Sequence, residues 1–225
     1  MSELLLPLFP LKVVLFPRMN LPLHIFEERY KRMIGDCLEQ QTEFGILMAQ
    51  DSSETGEAGV ASTGCTAAVA KLVRTHGDGR MDIIVRGSRR FEVINLNQDE
   101  PCLRGEVFFL DDEDGGDVAV SDDRRDEAVK LCDELMRMVP QKDMSPAVEV
   151  PLRGSAHLAY EIIAQMPVAL SFRQALLEMR TESQRLDEVI GHLHQLKAFL
   201  ARVTAARVKA GSNGHGSNGN GARPH

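Results

Sequence analysis

The sequence predicts an α+β chain in which a closed or strongly curved β-sheet comes first and a small helical bundle follows. Three observations carry that expectation. Short runs of strand-forming residues, broken by Gly, Pro or polar clusters, fill the chain to about Leu110. An acidic, glycine-containing stretch, DDEDGGDVAVSDDRRD at 111–126, repels itself and reads as a linker. From about Asp122 the apolar period becomes helical. The expected division is therefore a sheet domain over 1–112, a linker over 113–121, a helical bundle over 122–210 and a disordered tail over 211–225.

The strands are expected at 4–9, 13–16, 44–48, 67–75, 81–86, 90–96 and 103–110. Pro10 and Pro17 bracket the second of these and remove donors at its ends, as at a sheet edge. Gly64 and Gly87 stand where strands begin or bend. Thr75-His76-Gly77-Asp78-Gly79-Arg80 is the clearest hairpin, its glycines supplying the positive φ of a tight turn. One helix interrupts the strands at 27–40, where Tyr30, Met33, Ile34, Cys37 and Leu38 recur at helical spacing. The polar, glycine-rich 51–59 reads as an exposed loop. In the second half, Val129, Leu131, Cys132, Leu135, Met136 and Val139 form a stripe ending at Pro140, and a further helix is expected over 155–166. Ser171 is a candidate N-cap for a short helix to Met179, and Thr181 for a long one with Leu186, Ile190, Leu193, Leu196, Leu200 and Val203 on one face. After Ala210, GSNGHGSNGNGARPH has too little apolar area to offset ordering.

Composition excludes several classes. A net charge of -7 argues against broad affinity for nucleic acid or an anionic membrane, and 5% aromatics with no Trp argues against a base-stacking surface. The Leu-rich start has Glu3 where a basic region belongs and is interrupted by Pro7, Pro10, Lys12 and Pro17, so it reads as folded structure rather than a leader. No run approaches the ~18 apolar residues a membrane helix needs. Cys37, Cys65, Cys102 and Cys132 lie far apart without a CxxC pair, which predicts buried free thiols in a reducing, cytoplasmic setting.

PLFPLKVVLFPRMNLPLHIFEERYKRMI, FGILMA, GCTAAVAKLV and DGRMDIIVRGSRRFEV, in that order, resemble the N-terminal, substrate-binding domain of Lon proteases. The likeness continues through HLAYEIIAQMPVALSFRQALLEMRTESQRLDEVIGHL, where Gln174, Leu176, Leu177 and Glu178, then Arg185 and Leu186, match a motif of the helices that close that domain. The resemblance implies a PUA-like β-barrel followed by helices, in a stand-alone bacterial-type form. The expected role is a non-enzymatic module for exposed apolar segments of client proteins, or an adaptor for a separate ATPase or protease. No Gly-Lys dipeptide exists from which a phosphate loop could be built, and no cofactor is expected. One departure is Arg18, where the family has a small residue after Phe-Pro; a positive φ there would strain arginine by roughly 1–2 kcal/mol.

Leu21, Leu23, Ile25 and Phe26 are the candidate substrate-binding residues, because they follow a proline-limited strand and precede a helix. The same run would equally serve as core. Lys71, Arg74, Arg80, Arg86, Arg89 and Arg90 form a candidate nucleic-acid patch, since PUA-like barrels elsewhere bind RNA, although Asp78, Asp82, Glu92 and Glu106 in the same sheet would neutralise it. No catalytic or metal-binding residue is expected. His192 and His194 are two apart on a helix and point about 200° apart, which rules out chelation of one ion. Glu27 beside His24 fits a helix start as well as an acid-base pair. Cys65, among Ala67, Ala68 and Val69, reads as an inert core thiol, so a peptidase-associated hydrolase is the weakest alternative.

Overall fold

A computed structural model describes residues 5–50, 59–97, 101–112, 120–138 and 153–212. The expected linker lies mostly outside the described residues, as do most of loop 51–59 and the tail beyond Ser212.

Six strands form one mixed sheet: β1 (Leu5–Leu11), β2 (Asn20–Ile25), β3 (Phe44–Ala49), β4 (Val60–Thr75), β5 (Met81–Asn97) and β6 (Arg104–Leu110). β1 runs parallel to β3, and every other pairing is antiparallel. The hydrogen-bonded order is β2-β5-β4-β3-β1-β6, and β5 also pairs with β6. Both β2 and β6 meet β5: β2 along residues 81–86 and β6 along 90–97. Gly87 stands at that handover. A Cβ there would lie 2.1 Å from the Phe16 carbonyl oxygen, so only glycine lets the two backbones approach.

The two separate expected strands at 81–86 and 90–96 are one continuous β5, bent by bulges rather than broken. The hairpin at 75–80 forms as expected: His76 N–H donates to Arg80 O, and Gly79 takes φ 80°. Residues 13–16 are not a strand. They pass between two cores, with Leu15 packed under α1 (Glu28–Gln40) and Val14 and Phe16 turned into the helices. Burial on both sides leaves no sheet neighbour. A strand the sequence reading missed, β2, follows Arg18, whose φ is 65°.

In the second half, α2 (Asp122–Met138), α3 (Leu158–Ala164) and α5 (Glu182–Ser212) pack on one another, while α4 (Leu170–Glu178) lies against β4. Leu131, Leu135, Ile162, Leu177, Leu186 and Leu193 share this core with Phe16. Thr181 caps α5, its Oγ1 accepting from Gln184 N–H at 3.2 Å. Ser171 is not a cap, since α4 starts one residue earlier, after Ala169. α3 is shorter than the expected 155–166 because Ser155 Oγ accepts from His157 N–H and donates to Glu161, which holds those residues in a turn.

Candidate functional site

β2 sorts the candidate substrate-binding residues by strand alternation. Leu21, Leu23 and Ile25 stand opposite Val85, Ile83 and Met81, and Asn20, Pro22 and His24 opposite Arg86, Ile84 and Asp82. Successive side chains point to opposite faces, so the first set faces inward. Ile25, Ile83 and Val85 are buried there, with Leu21 and Leu23 packed against them. Ile25 is therefore core and Leu21 and Leu23 are partly buried against it, whereas Phe26 is 61% exposed.

The basic patch divides in the same way. Ala68, Lys71 and Arg74 of β4 stand opposite Arg86, Ile84 and Asp82, placing Lys71, Arg74 and Arg86 on the outer face of the β2-β5-β4 arm. Arg80 lies in the turn and donates to Asp78 at 2.6 Å. Arg89 donates to Asp111 and covers the Phe109 ring. Arg90 is not part of any surface patch: as Arg89's neighbour on a strand it points to the opposite face and is buried. With Arg80 and Arg89 paired to acids and Arg90 inside, the nucleic-acid reading loses half of its residues.

What Arg90 does instead is join the sheet to the helices. Its guanidinium donates to Asp112 at 2.5 Å and to the carbonyls of Leu177 (2.9 Å) and Met179 (2.5 Å). Arg185, fully buried, donates to both oxygens of Asp112 at 3.0 and 2.5 Å and to Glu182 at 3.0 Å, and lies over the Tyr160 ring. Gln174 donates from α4 to Thr63 O on β4 and to Glu178. The motif residues Gln174, Glu178 and Arg185 are thus polar fasteners of this joint, while Leu176, Leu177 and Leu186 fill the core beside them. Burial pushes the Glu182 carboxyl up to about 7, against the pull of Ala159 N–H and Arg185 toward the charged form. Burial likewise raises the Tyr160 phenol to about 12.

Apolar side chains stand exposed elsewhere on the sheet. Phe108 of β6 is 59% and Ile94 of β5 is 56% exposed. Glu92 faces Phe108 across the ladder, and Glu106, two residues from Phe108 and so on the same face, stands opposite Leu5 of β1. Leu5 too is exposed. A separate cavity of about 220 Å³ lies beside α1, lined among others by Arg29, Arg32, Asp36, Cys37 and Cys102. The exposed apolar and acidic side chains of β1, β5 and β6 are brought together by the ladder registers, whereas Arg29, Arg32 and Asp36 share one face of α1 by their helical spacing.

The reactive-group candidates behave as structural residues. Cys65 is fully buried, and burial pushes its thiol up to about 12. His194 bonds Glu127, and His192 stacks on Phe172. Glu27 accepts from Arg29 rather than pairing with His24. His24 Nδ1 instead lies 2.6 Å from Asp82 Oδ1, and His76 Nε2 lies 2.8 Å from Asp82 Oδ2. The bonds from His24 and His76 hold the Asp82 carboxyl below its usual range. Sequence gave no sign of this cluster, because its members come from β2, a turn and β5.

This arrangement of a mixed sheet and helices resembles solved Lon N-terminal domains. The crystal structure of a Lon N-terminal domain protein from Xanthomonas campestris superposes with a TM-score of 0.62 over 83% of this chain and 97% of that one, at 24% identity. The N-terminal domain of the Mycobacterium avium complex Lon protease gives 0.56 over 84% and 98%, at 18% identity. Residues 5–195 match the family model of the ATP-dependent protease La (LON) substrate-binding domain, and the chain belongs to that family. The Lon protease of Anaeromyxobacter dehalogenans is 28% identical over 207 residues, covering 87% of this chain and 24% of that protein. Lon protease 2 of Myxococcus xanthus is 27% identical over 202 residues, with the same two coverages. The chain thus corresponds to about a quarter of the length of these curated relatives.

Proposed function

We propose that the chain is a non-catalytic Lon-type substrate-binding module that holds exposed apolar segments of unfolded client proteins and presents them, as an adaptor, to a separate ATPase or protease. The observation that carries this reading is the family match over 5–195 to a domain named for substrate binding. Exposed apolar side chains on a rigid sheet support it: Phe108 and Ile94 offer contact area that the chain itself leaves unburied. Glu92 and Glu106 beside them favour client segments flanked by Lys or Arg. The earlier candidates Leu21 and Leu23, partly buried, act under this proposal as support for β2, with Phe26 as an additional contacting residue.

Further parts of the reading have their own support. The ring of pairings β5-β4-β3-β1-β6-β5 favours a PUA-like barrel over 1–112, and the mutual packing of α2, α3 and α5 favours a helical bundle over 122–210. Four free cysteines, three of them buried, fit a reducing cytoplasm. The raised Cys65 thiol fits a protein without a cysteine nucleophile.

The test is binding to a permanently unfolded client, reduced and carboxymethylated α-lactalbumin, together with a peptide array. Preference for apolar over polar segments is expected, and Phe108→Ser with Ile94→Ser should weaken binding about tenfold. An array without apolar preference overturns the proposal, as does cleavage of casein by the purified chain with or without ATP.

A further inference from the structure

His24, His76 and Asp82 converge on one point of the outer face of the β2-β5 arm. His24 and Asp82 are direct partners in the antiparallel register of the two strands. His76 arrives from the hairpin turn, whose backbone is fixed by the bonds from His76 N–H to Arg80 O and from Gly79 N–H to His76 O. One imidazole nitrogen from each histidine and one carboxylate oxygen of Asp82 lie within 4.8 Å of one another. The imidazole planes stand 81° apart with ring centroids at 5.9 Å, so the rings approach the carboxylate from different directions. We propose that His24, His76 and Asp82 form a binding site for a divalent transition-metal ion.

The donor set decides the class of ion. Two imidazole nitrogens with one carboxylate suit Zn²⁺, Co²⁺ or Ni²⁺, while Ca²⁺ and Mg²⁺ require mostly oxygen donors. Ligand atoms around a tetrahedral ion stand roughly 3.3 Å apart, given bonds of about 2.0 Å. The observed separations of 2.6 and 2.8 Å are those of hydrogen bonds to the carboxylate, so replacing the shared protons by an ion asks these N–O pairs to part by less than about 1 Å and the remaining ligand-atom separations, at most 4.8 Å, to close by up to about 1.5 Å. The ligands sit on paired strands and a closed turn, which keeps the three donors aligned without a metal. His24 is 46% exposed at its side chain and Asp82 36%, so water can complete the coordination shell. The consequence for the fold is local. Among the described residues β2 pairs in the sheet with β5 alone, and an ion shared by β2, the turn and β5 would fasten that outer strand.

The site is tested with the metal alone, so its failure is read separately from any failure of client binding. Titration of the full chain with Zn²⁺ in a calorimeter should show a saturable site that is weakened at least about tenfold by His24→Gln and again by His76→Gln, while His194→Gln leaves it unchanged. Both substituted side chains are solvent-accessible, and melting curves without metal establish that the variants fold. A second measurement needs no variant: in ¹⁵N spectra of the imidazoles, Zn²⁺ should shift Nδ1 of His24 and Nε2 of His76 before any other histidine nitrogen. Unchanged affinity in both variants, first shifts at other histidines, or no saturable heat up to roughly 1 mM Zn²⁺ overturns the proposal.

Discussion

Two buried regions of the molecule are held by different physics. Under α1 the packing is apolar: Phe9 stacks on Tyr30 with ring centroids 4.0 Å apart, and Phe44, Ile46, Ile34 and Val85 close the space around them. At the joint between sheet and helices Phe16 stacks on Tyr160 at 4.6 Å, and buried charged or polar groups join them, namely Arg90, Arg185, Glu182 and Gln174, with Asp112 between the two guanidiniums. Apolar contacts are non-directional and tolerate volume-conserving exchange. A buried ion network must recover the cost of desolvation through its geometry, so it adds modest net stability but admits one arrangement. Apolar packing thus builds each half and part of their joint, and the arginine-carboxylate network adds the directional contacts between them.

The largest expected effect breaks that network. Arg185→Ala leaves Asp112 and Glu182 without their shared cation and should cost about 3–5 kcal/mol in urea denaturation. Arg185→Lys should recover little, because a point charge cannot bridge both oxygens of Asp112 and also Glu182. Under α1, by contrast, Met33→Leu should cost less than about 1.5 kcal/mol. Equal tolerance at the two sites would end the distinction drawn above.

Next in size is Gly87→Ala, expected to cost about 1–3 kcal/mol in thermal melting, because the added methyl meets backbone at Phe16 rather than a side chain that can turn aside. Gly35→Ala in α1 is the contrasting control. Nothing lies within 4 Å of a Cβ at that position, so the better helix former should stabilise by up to about 1 kcal/mol.

The joint should also give stability a pH dependence. Burial raises the Glu182 carboxyl from 4.5 to about 7 in the folded chain, so the folded state holds this proton where the unfolded state has lost it. The contribution is complete below pH 4.5, diminishes as pH rises toward 7 and is lost above that value. Glu182→Gln should flatten that part of the stability profile, measured by denaturation at a series of pH values. An unchanged slope would mean that Arg185 keeps the carboxylate ionised throughout.

The apolar half of this comparison was legible in sequence and the polar half was not. Periodicity placed α1 and its buried Tyr30, Met33, Ile34 and Cys37, and turn chemistry placed the hairpin at Gly79, since both are set by neighbours close along the chain. Arg90 read as surface because charge normally is, and its partners Asp112, Leu177 and Met179 are 22 to 89 residues away. Residues 13–16 read as a strand because burial on two sides looks the same whether the neighbours are strands or helices. The resemblance identified Gln174, Glu178 and Arg185 as a motif, but only their contacts give the motif its structural role. The His24-Asp82-His76 cluster depends on a register that pairs residues 58 apart.

The smallest expected effect lies where the chain passes from one region to the other. Arg18 takes φ 65°, and its N–H is committed to Gly87 O at 2.8 Å, so the backbone there cannot relax without releasing β5. A left-handed conformation costs a side-chain-bearing residue roughly 1–2 kcal/mol, and the extra freedom of glycine in the unfolded chain takes back about 0.5–1 kcal/mol. Arg18→Gly should therefore stabilise by a few tenths to about 1 kcal/mol in thermal melting. Its ion pair with Glu161, at 3.9 Å and nearly half exposed, is too screened to reverse the sign. Arg18→Ala separates the two contributions, since it removes the same ion pair while keeping the Cβ that causes the strain. It should be neutral or slightly destabilising, and equal gains from the alanine and glycine variants would show that the side chain, not the backbone, is the costly part of this turn.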